Sequence, residues 1–384
     1  MAGALGGGHT DRVDLNAAEA AGIRDAGRRR ELLQYLDSQG FGLDEMVEAE
    51  LQGRLFALAG DAATRSGRPV HSLASAAAEL GVPLADVAHA WSVLGLTVTD
   101  VAQVALSEAD LAGLRTWADM SKLIGPEVAL GLMRVLGASM ARLAEAESSA
   151  LRAAAPDLDL DFTTDELRTA QAYAGLAQVV PRIGELMDAV HRQHLQSARS
   201  YFEAIGHDIS ATVVCGVGFA DLSGFTSLTQ RLTLGELSEL LSAFGSTASD
   251  VVHENGGRVV KLLGDAVMWV NADPRMLAEV AAHLVRHPLA EKAGIEVRAG
   301  LGYGPILALD GDYFGPAVNL AARLVAAAEP GQVLAPAAVC DHLTGWRADP
   351  LEAVTLRGFD DPLIPYDLRR EEGVRPVRAD DADR

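Results

Sequence analysis

Three short segments in the second half of the chain carry polar residues whose types and spacing could do chemistry. The first, GFADLSGFTSLTQ at residues 218–230, ends an apolar run at Asp221 and continues through Ser223 and Gly224. This pattern predicts a buried strand that turns into a helix, and the amides of such a turn can hold phosphate oxygens. An aspartate at the strand tip adds a hard oxygen ligand for a divalent cation. Taken alone, the segment fits better an aspartate that only caps the helix.

The second segment, VVKLLGDAVMWV at residues 259–270, predicts a tight, apolar hairpin that turns at Gly264 and Asp265. Lys261 and Asp265 are its only charged residues, and both are costly to bury without partners. If this hairpin pairs beside the strand of Asp221, the two carboxylates can bind two Mg²⁺ or Mn²⁺ ions, an arrangement that serves displacement at phosphorus. A solvated aspartate in a turn is the alternative, and it is weaker once Asp221 is considered too.

The third segment, LDGDYFGPAVNLAARLVAAA at residues 309–328, predicts a helix that begins near Pro316. Asn319 and Arg323 are four residues apart and therefore share one helix face. Above a metal site, this pair could hold a ribose and neutralise charge at a reacting phosphorus. By itself the pair is also typical of a solvated helix face, with Arg323 lying over an apolar stripe.

Together, the three segments resemble the catalytic domain of class III nucleotidyl cyclases over about residues 211–368. FADLSGFT is similar to the first metal motif of that family, and KLLGD is similar to the second. The resemblance implies that Asp221 and Asp265 hold two Mg²⁺ or Mn²⁺ ions per active site, with the carbonyl of Leu222 assisting. It also implies that the next amides bind phosphate oxygens, namely those of Ser223, Gly224 and Phe225.

DYFGPAVNLAAR is similar to the family motif that reads the base and positions the ribose. The resemblance implies that Lys261 and Asp312 read the base. Asn319 would position the ribose, and Arg323 would stabilise the transition state. Adenine suits the Lys261–Asp312 pair, because its N1 accepts and its 6-amino group donates, whereas guanine presents the reverse order. The basic residue of TLRGFDD, Arg357, lies where the family often has a cation near the triphosphate.

The resemblance therefore implies an adenylyl cyclase of the soluble actinobacterial type, which converts ATP into 3′,5′-cyclic AMP and pyrophosphate. In that family two chains pack head to tail as a homodimer. Each site takes its metal aspartates from one chain and its base, ribose and transition-state residues from the other. Lys261 and Asp265, on one hairpin, would then serve different sites.

The elements that must position these residues follow a strand, helix, hairpin, helix, strand order. This order predicts an α+β fold with a ferredoxin-like βαββαβ core, spanning residues 208–370. Predicted strands include IEVRAGLGYG and PILAL as two separate strands, and QVLA, AVTL and IPYDL as short ones. Helices are predicted at Leu234–Glu254, Met276–Arg286 and Val318–Ala328.

The first half of the chain has apolar residues at helical spacings, and strand-like alternation is absent. It predicts a flexible tail at residues 1–20, an all-α regulatory domain at 21–155, a helical connector at 156–207 and, after the catalytic domain, a disordered tail at 371–384. His191, His194 and His207 in the connector could sense pH, although solvated surface histidines are at least as good an interpretation. The regulatory helices could also enclose a small apolar ligand such as a lipid.

Composition restricts the partners and the location of the 384-residue chain. A formal net charge of −21 argues against a general nucleic-acid binder. The N-terminal residues lack the pattern of a signal peptide, and no uncharged apolar run is long enough to cross a bilayer. Cys215 and Cys340 are far apart in apolar segments, which predicts reduced core residues and a cytoplasmic protein.

Three alternatives remain open at this point. A guanylate or diguanylate cyclase, or a relative of the polymerase palm, would share a metal site at strand tips, but the Gly-Gly-Asp/Glu-Glu-Phe signature of the diguanylate enzymes is absent. A second alternative is a catalytically silent cyclase-like module that dimerises or binds nucleotide. Such modules usually lack a metal aspartate or the transition-state arginine, whereas this chain has both metal aspartates and Arg323. A purely helical signalling scaffold would leave the second half unexplained.

Overall fold

The computed structural model describes residues 13–154, 165–205, 212–287, 295–359 and 361–370. The chain divides into two compact units, residues 1–193 and 194–384. The predicted C-terminal tail and His207 lie outside the described residues. Among the helices of the described ranges, none is both long and apolar enough to cross a membrane.

The N-terminal unit is helical, as predicted. A 3₁₀ turn at Leu55–Ala57 interrupts the α-helices. The last helix of the series, α10, passes the boundary between the two units. The helices are α1 Leu15–Ala21, α2 Arg30–Ser38, α3 Leu43–Leu51, α4 Leu58–Thr64, α5 Leu73–Leu80, α6 Leu84–Val93, α7 Glu108–Ile124, α8 Pro126–Ala154, α9 Glu166–Ala177 and α10 Val179–Ile205.

All but the last residue of helix α1 lies inside residues 1–20, the stretch that the sequence predicted to be a flexible tail. The side chain of Asp14 caps it by accepting hydrogen bonds from the amides of Asn16 and Ala17. Gly22 ends it in the left-handed conformation, and Ala18 is fully buried. The prediction of a tail through residue 20 was therefore wrong for α1, because a short alanine-rich helix has little apolar periodicity of its own.

A buried ion network joins three helices of this unit. Arg29 donates to Glu50 of α3 at 2.7 Å and to Glu166 of α9 at 2.6 and 2.8 Å. Glu50 is only 7% exposed, and its burial acts to raise its pKa. The hydrogen bond and the charge of Arg29, with hydrogen bonding by Arg24, together outweigh the burial, so the pKa lies below the ordinary value. The network therefore holds α9, which comes just before α10, against the apolar core formed mainly by α1 to α4.

The C-terminal unit is an α+β fold built on one eight-stranded sheet, which confirms the predicted fold class. The strand order is β2-β3-β1-β4-β6-β8-β7, with β5 paired to β4. The strands are β1 Thr212–Ser223, β2 Arg258–Leu263, β3 Ala266–Asn271, β4 Glu296–Leu309, β5 Asp312–Phe314, β6 Val333–Ala335, β7 Trp346–Pro350 and β8 Tyr366–Arg370. The helices are α11 Phe225–Thr229, α12 Leu234–Glu254, α13 Pro274–Val285, α14 Pro316–Ala327 and α15 Ala337–Cys340.

Helix α14 lies unusually close to β4, because β4 has glycine where the helix crosses it. A Cβ at Gly300 would lie 2.2 Å from the amide nitrogen of Val325, and one at Gly302 would lie 2.3 Å from the carbonyl oxygen of Ala317. Both contacts are to helix backbone, which no side-chain movement can relieve. These two glycines therefore set the depth at which α14 packs on the sheet.

Two details of the predicted sheet were wrong. IEVRAGLGYG and PILAL form a single strand, β4, which pairs with β1 without a break from Glu296 to Leu307. The segment AVTL is not a strand, and only Val354 forms an isolated bridge, to Leu363. The short strands β5 and β7 were not predicted.

Candidate active site

The ends of β1 and of the β2–β3 hairpin bring two carboxylates together. Asp221 pairs with Ala266 across β1 and β3, and the amide of Leu222 donates to the carbonyl of Asp265 at 3.2 Å. Burial and the nearby Asp221 carboxylate raise the pKa of Asp265 above its ordinary value, while Arg298 opposes this rise. The structure thus places both predicted metal ligands in one cluster.

Two adjacent carboxylates suit Mg²⁺ or Mn²⁺, because hard oxygen donors bind these ions and a cation relieves the repulsion that raises the pKa. Within the described ranges there is no group of three or more His, Cys, Asp or Glu side chains that could hold a metal. The remaining ligands would have to be backbone carbonyls, water or substrate oxygens, as is usual for Mg²⁺ at phosphate sites. The donor set therefore fits the predicted ions.

The turn after Asp221 has the predicted strand-to-helix form. Leu222 is buried, Gly224 adopts the left-handed conformation with φ 75°, and α11 begins at Phe225. The hydroxyl of Ser223 is buried without a hydrogen-bond partner among the described residues. An unsatisfied buried hydroxyl in this turn is a polar group that a bound ligand can satisfy.

Arg298 of β4 is a site residue that the sequence analysis missed. It faces Asp221 directly across β1 and β4, and its Nε and Nη2 donate to Asp221 Oδ2 at 3.2 and 2.8 Å. Its Nη1 donates to the carbonyls of Ala326 and Ala328 at the end of α14, at 3.3 and 3.2 Å. The only sequence signal was one arginine in a strand whose one other charged residue is Glu296, at its start.

A second cluster contains the two predicted base-reading residues. Lys261 of β2 forms an ion pair with Asp312 of β5, and the other carboxylate oxygen of Asp312 accepts from the amide of Tyr313 at 2.8 Å. Both side chains remain about one-third exposed, at 33% and 29%. A donor and an acceptor are therefore held side by side at the surface, as recognition of a nucleobase edge requires.

Two charged residues of the hairpin, Lys261 and Asp265, therefore lie in different clusters. Asp265 joins Asp221, whereas Lys261 joins Asp312. A bulge between Val259 and Lys261 shifts the register of β2 against β3. The two residues are not partners of each other.

Asn319 and Arg323 lie on the exposed face of α14, opposite the side that packs on the sheet through Val318 and Leu324. Neither side chain belongs to the two clusters within this chain. Arg357 is also exposed, in the segment after β7, and takes part in none of the ion pairs of the described residues. The structure does not bring these three residues to the carboxylates of their own chain.

A cavity of about 390 Å³ lies beside the turn that follows Asp221, where Leu222 and Leu228 meet α12 and the start of β4. Its lining is mostly apolar, with Glu236 and Glu239 as carboxylates. Such a lining suits neither a triphosphate nor its counter-ions. The cavity is therefore a poorer candidate for a nucleotide site than the two polar clusters.

Comparison with known proteins identifies the class to which this site belongs. The profile of the adenylate and guanylate cyclase catalytic domain matches residues 209–369. An adenylate cyclase of Glutamicibacter nicotianae is 31% identical over 71% of this chain and 72% of its own length. The chain belongs to the class III adenylate and guanylate cyclase family, as its sequence motifs predicted.

The similarity is not restricted to the catalytic unit. An uncharacterized protein of Mycobacterium tuberculosis strain H37Rv is 54% identical over 95% of this chain and 97% of its own length. Among solved structures, the adenylyl cyclase CyaB from P. aeruginosa is 22% identical, covering 42% of this chain and 97% of its own, with a TM-score of 0.40.

Proposed function

We propose that the chain is an adenylate cyclase that converts ATP into 3′,5′-cyclic AMP and pyrophosphate. The observation that carries this proposal is the hairpin that sends a carboxylate to Asp221 and an amine to Asp312. The carboxylate cluster of Asp221 and Asp265 suits a metal-bound triphosphate. The pair of Lys261 and Asp312 suits a base that has an acceptor beside a donor. The name of the Glutamicibacter relative, adenylate cyclase, agrees with this substrate.

Each residue has a chemical task in this proposal. Mg²⁺ or Mn²⁺, two ions per site, would activate the ribose 3′ hydroxyl and hold the triphosphate. Asp221 and Asp265 would hold these ions with help from the carbonyl of Leu222. The amides of the following turn would bind phosphate oxygens, as would Arg357, and the turn residues are Ser223, Gly224 and Phe225.

Lys261 would donate to N1 of adenine, and Asp312 would accept from the 6-amino group. Guanine would instead place a donor against the lysine and an acceptor against the carboxylate, which leaves buried polar groups unpaired. Asn319 would position the ribose. Arg323 would stabilise the charge that develops on the phosphorus oxygens.

We propose a head-to-tail homodimer as the active species. Asn319 and Arg323 are exposed on α14 and do not contact the carboxylate cluster of their own chain. A second copy that packs over this face would supply both residues to the metal cluster of the first. The dimer would then contain two identical sites.

The direct test is incubation of the purified chain with ATP or GTP and Mn²⁺ or Mg²⁺, followed by chromatography for cyclic nucleotide. Cyclic AMP from ATP supports the proposal, provided that Asp265→Ala abolishes it without unfolding the chain. Cyclic GMP as the main product would instead indicate a guanylate cyclase. No cyclic nucleotide across pH values and metals would indicate a silent nucleotide-binding module.

A mixing experiment tests the shared site. Asp265→Ala chains keep the base-reading residues, and Lys261→Ala chains keep the metal residues. An equimolar mixture of these two impaired variants should recover about a quarter of wild-type activity, because half of the dimers are mixed and each has one intact site. A mixture no more active than the variants by themselves, with dimers present by light scattering, would contradict the shared site.

The helical unit is proposed to regulate the catalytic dimer. His191 and His194 are both exposed on α10, which joins the two units, so a proton is one regulator to test, and a small apolar ligand is another. The pH profile of activity for the whole chain should differ from that of a His191→Gln, His194→Gln variant. Coincident profiles would remove the histidines from the proposal.

A further inference from the structure

Arg298 satisfies three acceptors that belong to two functional elements. Two of its N–H groups hold Asp221 Oδ2, and Nη1 holds the carbonyls of Ala326 and Ala328. The arginine is 28% exposed and Asp221 is 21% exposed. Because the pair is largely withdrawn from water, these charge-assisted bonds are stronger than those of a surface ion pair.

The position of Arg298 conflicts with the task proposed for Asp221. Asp221 Oδ2 accepts two bonds from the guanidinium and has little capacity left for a divalent cation, and the guanidinium charge repels a cation at either carboxylate oxygen. The metal must therefore compete with an internal cation.

The other end of Arg298 is bonded to the helix that carries Asn319 and Arg323. The last carbonyls of an α-helix have no partner within the helix, and a cation that caps them also interacts favourably with the helix dipole. The amide of Ala328 donates to the carbonyl of Leu324 at 2.9 Å, which closes the final turn beside the arginine. If Arg298 leaves, this turn loses its cap.

We propose that Arg298 is a built-in counter-cation that holds Asp221 until a divalent metal displaces it, and that its displacement loosens the last turn of α14. This inference rests on the proposed function only in taking Asp221 as a metal ligand. Metal binding at one end of the sheet is thereby coupled to the helix that bears the ribose and transition-state residues. In a head-to-tail dimer that helix serves the other site, so the two sites communicate.

Mn²⁺ affinity without nucleotide tests the competition, measured on the full chain by the electron paramagnetic resonance signal of free Mn²⁺. Arg298→Gln removes the charge and should bind Mn²⁺ about tenfold tighter than wild type, since a charge-assisted bond no longer opposes the metal. Arg298→Lys keeps the charge and should stay near wild type. Unchanged or weaker Mn²⁺ binding by Arg298→Gln would overturn the proposal.

Two controls make the comparison specific. Arg275→Gln removes the same charge from an exposed pair with Asp273 and should leave Mn²⁺ affinity unchanged. Asp221→Asn should remove the effect of Arg298→Gln in the double variant, because the arginine then has no carboxylate to occupy. An effect that persists in the double variant would show that the arginine acts elsewhere. Thermal midpoints exclude unfolding as the cause.

Hydrogen exchange at the end of α14 tests the coupling. Mn²⁺ should speed exchange at the Ala328 amide in wild type, because the neighbouring carbonyls lose their donor. In Arg298→Gln the exchange should already be fast and should not respond to Mn²⁺. No response in wild type would refute the coupling.

The cyclase assay keeps this inference separate from the proposed function. If the wild-type chain makes cyclic AMP and Arg298→Gln has unchanged Mn²⁺ affinity, the counter-cation role of Arg298 is refuted and the cyclase activity stands. If Arg298→Gln binds Mn²⁺ more tightly but the wild-type chain makes no cyclic nucleotide, the cyclase activity is refuted and the counter-cation role stands.

Discussion

Gly300→Ala should disable catalysis through packing alone, because it changes no group that contacts substrate. The new methyl carbon would lie 2.2 Å from the amide nitrogen of Val325 and 2.5 Å from the carbonyl oxygen of Ala321. An ordinary contact begins at 3.4 Å, so the two backbones must separate by 3.4 − 2.2, or about 1.2 Å. Helix α14 has to move outward as a body.

The expected losses follow from that displacement. Overpacking by one methyl group typically destabilises by about 1–3 kcal/mol, which lowers the midpoint of a unit of this size by roughly 2–12 °C. A displacement of about 1 Å at residues that position substrate can reduce kcat roughly 100-fold. Asn319 and Arg323 move with the helix. We therefore expect kcat to be reduced even at temperatures at which the variant remains folded.

The assay is cyclic AMP formation with saturating Mn²⁺-ATP at a temperature well below the lowered midpoint. Gly235→Ala is the matched control, because its Cβ would meet only Thr233 Oγ1, at 4.0 Å, and alanine favours the helix α12. Wild-type kcat and midpoint in Gly300→Ala would refute the reasoning, since they would mean that α14 does not depend on this close approach.

Three further predictions concern charges. Lys261→Ala should lower kcat/KM for ATP by about 10–100-fold while changing GTP little, because a charge-assisted bond to the base is lost; an unchanged ATP to GTP ratio would contradict the role. Arg29→Met should destabilise the helical unit by about 3–5 kcal/mol in urea unfolding, because it leaves the buried Glu50 with only the exposed and more distant Arg24 as a cationic partner. Arg24→Met is the control. The Arg24 side chain pairs with the same Glu50 but is 84% exposed, so its loss should change the free energy of unfolding by under about 1 kcal/mol. Because the pKa of Asp265 is raised in the folded chain, its ionisation disfavours folding above that pKa. Asp265→Asn should therefore raise the metal-free thermal midpoint at pH 7, and the gain should fade as the pH approaches 4; an equal gain at both pH values would contradict this.

The sequence indicated the residues of both polar clusters because they lie in local motifs, and their metal-binding and base-reading roles stay predictions. Asp221 ends an apolar run, and Lys261 and Asp265 interrupt another, so each is conspicuous against its neighbours. The structure brings each into a cluster through the pairing of β1 with the β2–β3 hairpin. Local pattern and strand order were enough for this part of the site.

Arg298 was not predictable in the same way. It lies 77 residues from Asp221, and only the register of β1 against β4 places the two opposite each other. A shift of one residue in that register would turn the guanidinium to the other face of the sheet. Nothing within the segment EVRAG specifies which face or which partner the arginine has.

The division of β4 into two strands was wrong for a related reason. Gly304 and Pro305 are usual signs of a turn. In the structure they pair with Cys215 and Val214 of β1, and no strand adjoins Pro305 on its other side in the described residues. Proline is tolerated at such an edge position, so long-range pairing outweighs the local signal.

The continuity of β4 limits how this protein can change during evolution. One strand carries Arg298 near its start and, at its end, Leu309, which pairs with Asp312. Loops outside the sheet can lengthen at little cost in free energy. An insertion of one residue within β4 would instead turn every side chain between the insertion and one end of the strand to the opposite face of the sheet. We therefore expect length variation among relatives to fall outside residues 296–309.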